Sequence, residues 1–293
     1  MRPTSEVATP RVTVIIATYN WSTVLPYSIG SVLRQTLSDF ELLVIGDGCT
    51  DESGETVTRF DDPRVRWLNL SANTGHQCGP NNEGLRQARS NVIAYLGHDD
   101  LWLPRHLELL VTAIEAGADL ACGITAMIAP SGSRTYAPND DPSRRSIVWD
   151  LPPTGLVHRR EPALEVGGWR HPSELPLDPE IDLVARMRAA GSRLAFVPRL
   201  TAVKFPASLR RNVYQLRRAD EQATWFARIG QEPDFEQREL AALLLGVERR
   251  VRVLVPKRIR RRLQTLRSWL IPHRQQRAAI TRRRRTRGLP PSP

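Results

Sequence analysis

The sequence predicts an α/β fold built on a mainly parallel sheet. Four apolar runs, most of them rich in β-branched residues, have the pattern of buried strands: 12–17, 41–46, 65–70 and 91–97. Segments compatible with helices lie between them, at 22–33, 51–60 and 80–89. Strands that alternate with helices at this spacing usually form parallel sheets with right-handed crossovers.

The 293-residue chain carries a net charge of +11, which is unevenly distributed. Sixteen of its 42 basic residues lie between Arg249 and Arg287, whereas none of its 31 acidic residues follows Glu248. Residues 1–248 therefore hold 26 basic and 31 acidic side chains, a net charge of −5. Nucleic-acid-binding domains usually carry basic residues on the folded face that meets phosphate, so the sequence disfavours nucleic acid as a partner.

Cysteine usage and hydropathy indicate a reducing, cytoplasmic environment. Cys49, Cys78 and Cys122 are too few and too widely spaced for a disulfide framework or a CxxC metal motif. The first ten residues lack the apolar region of a signal peptide. The longest apolar stretches, 120–129 and 240–247, are shorter than the roughly 20 residues that span a bilayer, so we expect no transmembrane segment.

Polar segments follow three of the predicted strands, at 18–20, 46–51 and 97–100. Ligands bind beyond the carboxyl ends of the strands in open parallel sheets. A single Gly/Asp segment is ordinary turn chemistry. Several carboxylates at one edge are best tolerated where a cation or a donor-rich ligand offsets their charge. The sequence therefore predicts a ligand site at this edge.

Four segments occur in order along the chain: VTVIIATYN from Val12, SIGSVLRQTLSDFELLVIGDGCTDES from Ser28, NTGHQCGPNNEGLRQARSNVIAYLGHDDLWLPRHL from Asn73 and GGWRHPSELPLDPEIDLVARMRAAGSRLAFVP from Gly167. Together they resemble the nucleotide-sugar glycosyltransferases of family 2. The resemblance implies a Rossmann-like GT-A fold with a mixed, mainly parallel sheet flanked by helices. It also implies inverting transfer of a sugar from a nucleoside diphosphate sugar, UDP-type favoured, to an acceptor hydroxyl.

By the same resemblance, eight residues match the donor site of the family: Ala17, Thr18, Tyr19, Asp47, Asn73, Gly75, Asn82 and Asp99. Asp47 matches an aspartate that accepts from the imino hydrogen of the donor's base, with an Asp-Gly turn as the alternative. A helix-capping loop is the alternative for the 73–84 segment. Asp51 is expected to cap the next helix.

Asp99 and Asp100 match the metal motif of the family, D-x-D-D, which implies Mg²⁺ or Mn²⁺ as the cofactor. Gly97 stands where the motif has its first aspartate, so one ribose or water-mediated metal contact is missing. His98 is not included among the ligands, because a lone histidine in a loop is usually exposed to solvent.

The segment Leu177–Leu183 matches the part of the family that carries the acceptor base, which is commonly the second residue of an acidic pair. Glu180 stands at the position of the base, and Pro179 stands at the position of its acidic partner. A general base must be ionised and within hydrogen-bond reach of the acceptor hydroxyl. Asp178 and Asp182 complete the predicted catalytic group. N-capping is the alternative role of Asp178, and support of the helix that of Asp182.

The predicted organisation has four parts: a disordered N-terminus at 1–10, a GT-A domain at 11–206, a helical extension at 207–272 and a basic disordered tail at 273–293. The nucleotide-binding half of the domain extends to about residue 100 and the acceptor half covers 101–206. Leucines and valines from Leu240 repeat at helical spacing until Pro256, and a basic amphipathic helix follows at 259–270. We expect residues 250–293 to contact an anionic membrane, with packing on the body as the alternative.

The sequence therefore predicts a cytoplasmic glycosyltransferase, peripheral at the inner face of the membrane, that acts in the synthesis of cell-surface polysaccharide or glycolipid. Its acceptor would be a saccharide or a lipid-linked molecule. A dehydrogenase is disfavoured because no G-x-G-x-x-G follows the first strand. A non-catalytic relative that binds nucleotide or saccharide stays open because of Gly97 and Pro179. The sequence gives no indication of the oligomeric state.

Overall fold

The computed structural model describes residues 9–132, 134–138, 141–144 and 151–251, together with residues 285 and 288. Three predictions concern residues that lie mostly or wholly outside these ranges. The basic amphipathic helix at 259–270 lies outside the described residues, as do most of the N-terminus and most of the basic tail.

The first part of the chain alternates strands and helices, and it confirms the predicted α/β fold. The elements are β1 (Val12–Thr18), α1 (Leu25–Leu33), β2 (Phe40–Gly46), α2 (Ser53–Thr58), β3 (Val65–Asn69), α3 (Cys78–Gln87) and β4 (Val92–Tyr95). These strands pair in parallel in the order β3-β2-β1-β4.

After β4 the sheet becomes mixed. The next elements are β5 (Leu101–Trp102), α4 (His106–Glu115), β6 (Leu120–Ile128), β7 (Arg134–Ala137), β8 (Leu156–Arg159), α5 (Arg160–Glu165), α6 (Pro179–Ala189) and β9 (Leu194–Lys204). The sheet continues in the order β4-β8-β6-β9-β5, and β7 pairs with β6. Strand β8 is antiparallel to both of its neighbours, whereas β6 and β9 are parallel.

Side chains alternate between the two faces of the sheet, as expected for strands that are covered on both sides. Val14 and Ile16 of β1 belong to one buried cluster, and Ile15 between them belongs to another. Helices α1 and α4 complete the first cluster, and helices α3 and α6 complete the second. The arrangement has three layers, with the sheet between two helical layers.

Three more helices follow the sheet: α7 (Val213–Leu216), α8 (Asp220–Gln231) and α9 (Phe235–Val251). Trp225 of α8 and Phe235 of α9 share a third buried cluster with Leu101 and Phe205. The helices beyond residue 206 therefore continue the core, and the predicted domain boundaries stay a prediction. Within the described part of the chain, no helix is long and apolar enough to span a bilayer.

Glu41 links the strands at the edge of the sheet opposite their carboxyl ends. It is fully buried, and it accepts hydrogen bonds from the Thr13 hydroxyl at 2.7 Å and from the Arg89 backbone N–H at 2.6 Å. The Arg89 guanidinium adds a third hydrogen bond at 2.7 Å. Burial opposes ionisation, but these contacts outweigh it and lower the pKa of Glu41.

We expect Glu41→Ala to reduce the free energy of unfolding by about 3 to 5 kcal/mol, because it leaves the partners of a buried charge unpaired. Since the pKa of Glu41 is lower in the folded state, its contribution is present above the unfolded pKa and is lost as the pH falls through the folded pKa. Urea denaturation at several pH values measures both effects. Glu55→Ala removes a surface ion pair with Arg59 at 3.5 Å and should change stability by less than about 1 kcal/mol. An equal loss in the free energy of unfolding for the two variants would contradict the stabilising role assigned to Glu41.

Candidate functional site

The residues that follow the parallel strands meet at one edge of the sheet. Thr18 ends β1, and its carbonyl oxygen accepts from the Asp47 N–H, just past β2, at 2.8 Å. The Leu96 N–H, just past β4, donates to the Ile15 carbonyl oxygen at 3.0 Å. The segments 18–20, 46–51 and 97–100 are therefore neighbours in the structure, with Ala17 and Tyr19 half-buried among them.

Asp47 is buried and is held by the segment that precedes α3. The Thr74 backbone N–H and hydroxyl donate to its Oδ1 at 2.8 Å and 2.7 Å. The Asn73 side-chain amide donates to its backbone carbonyl at 3.0 Å. Gly75 follows with φ 86°, in the left-handed region that favours glycine. These contacts bring Asp47 and Asn73 together next to Gly75, and a role of the three in a nucleotide pocket stays a prediction.

Asn20 organises the loop after β2. Its side-chain oxygen accepts from the Thr50 N–H at 2.7 Å and the Asp51 N–H at 3.2 Å, and its backbone has a positive φ of 54°. Asp51 in turn accepts from the backbone N–H of Ser53, the first residue of α2, at 3.0 Å. The N-cap residue of α2 is Glu52, so Asp51 lies one residue before the predicted capping position, although it accepts from the first N–H of the helix.

Asp100 is fully buried, and both of its carboxylate oxygens accept hydrogen bonds. The Phe205 N–H donates to Oδ1 at 3.0 Å, and Lys204 Nζ donates to Oδ2 at 3.0 Å. The Thr154 hydroxyl also donates to Oδ2. Burial would lower the pKa of Lys204, but the charges of Asp100 and Asp99 outweigh burial and raise it. The ammonium therefore stays charged beside Asp100.

Asp99 has a different environment from its neighbour. It is 8% exposed, and its carboxylate forms no ion pair with a described lysine or arginine. Burial and the charge of Asp100 raise the pKa of Asp99. Its backbone carbonyl accepts from the Gln222 side chain of α8 at 3.3 Å. Of the two adjacent carboxylates, Asp99 is the one with oxygens that remain open to a ligand.

The expectation that His98 is exposed is wrong. Its side chain is 11% exposed, and its ring stacks on Trp21 with the centroids 4.6 Å apart. Burial lowers the pKa of His98 to about 4, so the ring is neutral near pH 7. Nε2 lies 4.0 Å from Asp99 Oδ1.

Glu180 lies in the first turn of α6, where it is partly buried. Burial and then the nearby charge of Asp178 raise the pKa of Glu180 to about 7, while Lys204 acts in the opposite direction. A carboxylate with such a pKa accepts a proton readily near neutral pH. The charges of Glu180 and Asp99 both act to raise the pKa of Lys204.

The two aspartates beside Glu180 have other contacts. Asp178 is the N-cap residue of α6 and precedes Pro179 as predicted, but its side chain makes no capping hydrogen bond. Asp182 accepts from Arg186 Nε at 2.8 Å, and Arg186 Nη2 also donates to the Gly168 carbonyl at 2.7 Å. This geometry gives Asp182 a structural contact that fixes α6 to the turn before it.

Asn82 and Trp169 also hold the structure together. The Asn82 amide donates to the Trp169 carbonyl and accepts from the Trp169 N–H, both at 2.8 Å. The Trp169 indole N–H donates to the Tyr95 hydroxyl at 2.9 Å inside the core. Asn82 is therefore engaged in joining α3 to the 168–169 segment.

Sequence reasoning missed Asn20, Thr154 and Lys204. One signal could have indicated Lys204, because lysine occurs at only two positions of the chain beside 40 arginines. Lysine is a compact point charge, whereas arginine is a planar fork, so the two are not interchangeable beside a buried carboxylate. Thr154 and Asn20 have no comparable signal in the sequence.

The open carboxylate of Asp99 fits a magnesium or manganese ion whose coordination is completed by substrate. Within the described residues, no group of three or more His, Cys, Asp or Glu side chains is arranged to hold a metal. Mg²⁺ at nucleotide sites is commonly bound by one or two carboxylates together with substrate phosphates and water. A buried carboxylate without a cationic partner is costly, so a cation there would stabilise it.

Comparisons with known proteins agree with this fold. The family model described as "Glycosyl transferase family 2" matches residues 13–160. An uncharacterized glycosyltransferase of Nostoc sp. is 32% identical over 168 residues, which cover 52% of this chain and 51% of that protein. UDP-Glc:alpha-D-GlcNAc-diphosphoundecaprenol beta-1,3-glucosyltransferase of Escherichia coli is 35% identical over 101 residues, 34% of this chain and 40% of that protein. The matches span about half or less of these relatives.

A similar fold occurs in the mannosyltransferase from Pyrobaculum calidifontis, whose structure was solved in complex with GDP-Man and Mn²⁺. The TM-score is 0.55 at 16% identity, over 96% of this chain and 88% of that chain. The fold of the present chain is GT-A, as the sequence predicts.

The structure gives a steric reason for glycine at position 97. A Cβ atom there would lie 2.5 Å from Asp100 Oδ2 and 3.4 Å from Thr154 Oγ1. The Gly97 N–H donates to the same Thr154 oxygen at 3.2 Å. Because Asp100 is held by three donors, it cannot move aside without losing hydrogen bonds.

We expect Gly97→Ala to lower the free energy of unfolding by about 1 to 3 kcal/mol through overpacking. Gly97→Asp should lower it at least as much and should not tighten Mn²⁺ binding, since its side chain collides with Asp100. Urea denaturation and calorimetry measure these effects. The control is Gly230→Ala in α8, where a Cβ would meet only Arg34 Nη1 at 3.0 Å, and which should be neutral or stabilising by up to about 1 kcal/mol. A fully stable Gly97→Asp variant with tighter Mn²⁺ binding would contradict the steric argument.

Proposed function

The chain belongs to glycosyl transferase family 2, and from this premise we propose that it transfers a sugar from a nucleoside diphosphate sugar to an acceptor hydroxyl, with inversion at the anomeric carbon. One observation supports the proposal above the others. Lys204 Nζ lies 3.0 Å from Asp100 Oδ2, and the charges of Asp100, Asp99 and Glu180 all act to raise the pKa of Lys204. A candidate donor-side carboxylate and a candidate base therefore act on the same ammonium.

The proposed reaction is a single displacement. Glu180 accepts the proton of the acceptor hydroxyl, whose oxygen forms a bond to the anomeric carbon. The bond from that carbon to the diphosphate oxygen breaks, and the nucleoside diphosphate leaves with the electron pair. Attack from the face opposite the leaving group inverts the configuration. Proton transfer to a positioned carboxylate contributes about 10²- to 10⁴-fold in rate.

The donor is proposed to bind along the carboxyl ends of the parallel strands. Asp47 accepts from the base, beside Asn73 and Gly75. Asp99 would hold Mg²⁺ or Mn²⁺ beside the diphosphate of the donor. When bound, the ion supplies Lewis-acid stabilisation of the leaving diphosphate. Asp100 acts through Lys204 and Thr154, which fix the position of the 97–100 segment.

A UDP-sugar donor and a saccharide or lipid-linked acceptor are proposed from the Escherichia coli relative, whose name contains UDP-Glc and a diphosphoundecaprenol acceptor. The place of action would be cytoplasmic and peripheral to the membrane, in polysaccharide or glycolipid synthesis, with residues 250–293 in contact with anionic lipid. A thermal-shift panel of UDP, GDP and dTDP with Mn²⁺ identifies the base, because bound ligand stabilises the folded state by about 2.7 kcal/mol at 100 times its Kd.

A non-catalytic nucleotide-binding relative is the second candidate, supported by the absence of a side chain at position 97. Donor turnover separates the two functions. Release of the nucleoside diphosphate above the uncatalysed rate indicates an enzyme, whereas tight binding without turnover indicates a binding protein.

We expect kcat/KM for transfer to fall as the pH drops below about 7, because Glu180 must be ionised to act as a base and burial raises its pKa to about 7. Glu180→Gln should abolish transfer and leave nucleotide affinity unchanged. Asp178→Asn removes a negative neighbour, so the pKa of Glu180 should fall and the acidic limb should move to lower pH. Initial rates between pH 5 and pH 9 measure both effects.

Asp182→Asn is the control for these variants. Asp182 pairs with Arg186 at 2.7 Å, so its loss should reduce stability without moving the acidic limb. An unchanged rate in Glu180→Gln would remove Glu180 from the base role. If the acidic limb of the pH–rate profile moved in Asp182→Asn, the titrating group would be Asp182 and not Glu180.

We expect Asp99→Asn to weaken binding of UDP in the presence of Mn²⁺ by at least about tenfold, because it removes the open carboxylate proposed to hold the ion. Binding in EDTA should change much less. Isothermal calorimetry measures both affinities. Asp39→Asn serves as the control. Asp39 is exposed and precedes β2, so it lies at the end of that strand that is remote from the candidate site. Wild-type affinity of Asp99→Asn with Mn²⁺ would contradict the metal assignment.

A further inference from the structure

The segment at 206–219, which follows the sheet, has an unusual repeated sequence, PASLRRNVYQLRRA. The triplet Leu-Arg-Arg occurs at 209–211 and again seven residues later at 216–218. No acidic residue lies between Asp182 and Asp220. The segment therefore contains two leucines and four arginines but no acidic residue of its own.

The two leucines of the repeat are among the most exposed apolar side chains of the described chain. Leu209 is 55% exposed and Leu216 is 57% exposed, and the other large exposed apolar residue among the described side chains is Leu164, at 40%. Arg211 and Arg218 are also exposed, and neither forms an ion pair with a described residue. Leucine and arginine side chains are thus displayed together on one short segment.

Other residues of the segment at 206–219 are held against residues near the candidate site. Tyr214 packs on Trp21 with the ring centroids 5.3 Å apart, and it lies 6.1 Å from the ring of His98. The Thr23 hydroxyl donates to the Arg217 carbonyl at 2.7 Å. Arg210 pairs with Glu221 at 2.7 Å. The exposed residues of the repeat therefore stand on a segment that is anchored beside Asp99.

Single exposed leucines are common on protein surfaces and need no explanation. Here they alternate with unpaired arginines on a segment that its neighbours hold in place. Exposed arginines without leucines would be typical of a nucleic-acid-binding surface. The phosphate backbone of a nucleic acid, however, has no apolar region in which two exposed leucines could be buried. An anionic bilayer satisfies both, because its headgroups attract arginine and its acyl boundary accepts leucine.

We propose that the segment at 206–219 is a membrane-contacting element that binds an anionic bilayer beside the candidate site. Leu209 and Leu216 enter the headgroup region, and Arg211 and Arg218 pair with lipid phosphates. Gly288 of the C-terminal tail lies against Gln215 of this segment, so the contact adjoins the one proposed for residues 250–293. Its use in bringing the site to a lipid-linked acceptor rests on the proposed function, but the binding itself does not require a nucleotide.

The test uses the full-length chain with an environment-sensitive fluorophore on a single cysteine. Cys49→Ser removes the partly exposed thiol, and Cys78 and Cys122 are buried. The label is placed through Leu216→Cys or, as the matched control, through Leu164→Cys in α5. Vesicles contain phosphatidylcholine alone or with 30% phosphatidylglycerol, and no nucleotide is present. We expect the emission of the residue 216 label to rise about twofold or more with anionic vesicles only, and that of the residue 164 label to stay constant.

A second measurement uses unlabelled protein. Arg211→Gln with Arg218→Gln should lower the partition coefficient on anionic vesicles by about tenfold or more, while Arg59→Gln with Arg86→Gln should leave it within about twofold. Co-sedimentation without any change in the residue 216 label would mean that another part of the chain binds, and would overturn the proposal. An equal rise at both labels, or a rise with single-stranded RNA but not with vesicles, would do the same. Affinity for UDP, measured in the same variants, reports folding and tests the proposed donor site separately.

Discussion

The buried ion pair between Asp100 and Lys204 is the constraint on which the site depends. A carboxylate without solvent must be paired and fully hydrogen-bonded, or its ionised form is strongly disfavoured. Asp100 meets this requirement with Lys204 and Phe205 from the end of β9 and with Thr154 from the loop before β8. Asp100 therefore connects the segment that follows β4 to the ends of strands in the mixed part of the sheet. These hydrogen bonds fix the geometry of the 97–100 segment.

Adjacent acidic residues consequently have different chemistry. Asp100 uses both oxygens within the protein, whereas Asp99, one residue earlier, keeps a carboxylate that no described lysine or arginine pairs with. The same separation occurs in α6, where Asp182 pairs with Arg186 and Glu180 has a raised pKa. In each case one carboxylate fixes the backbone and its neighbour is available for chemistry. The number of acidic residues in the sequence does not distinguish these roles. They differ in which hydrogen-bond donors surround each carboxylate in the folded structure.

The sequence predicted the parallel half of the fold well, because each strand there is an apolar run bounded by turn residues and each crossover is short. It also predicted Asp47 and Asp99 at one edge, since carboxyl ends of parallel strands meet. The partners of Asp100 could not be predicted, because Thr154 and Lys204 lie 54 and 104 residues away along the chain. His98 was expected in solvent, but its side chain is only 11% exposed, because Trp21 stacks on its ring and Tyr214 packs edge-on against it.

Charge distribution relates the site to the rest of the surface. Residues 1–248 carry a net charge of −5, which on average would repel an anionic surface. Salt screens such repulsion beyond about 8 Å, so the charges that act on approach are those at the contact itself. The rim segment at 206–219 has four arginines and no acidic residue, and Tyr214 holds it next to His98 and Asp99. If residues 206–219 lie on an anionic membrane as proposed, the carboxyl edge of the sheet would face the lipid, because Tyr214 packs beside His98 at that edge. Under the proposed function, such an orientation would let a lipid-linked acceptor reach the site by diffusion within the membrane.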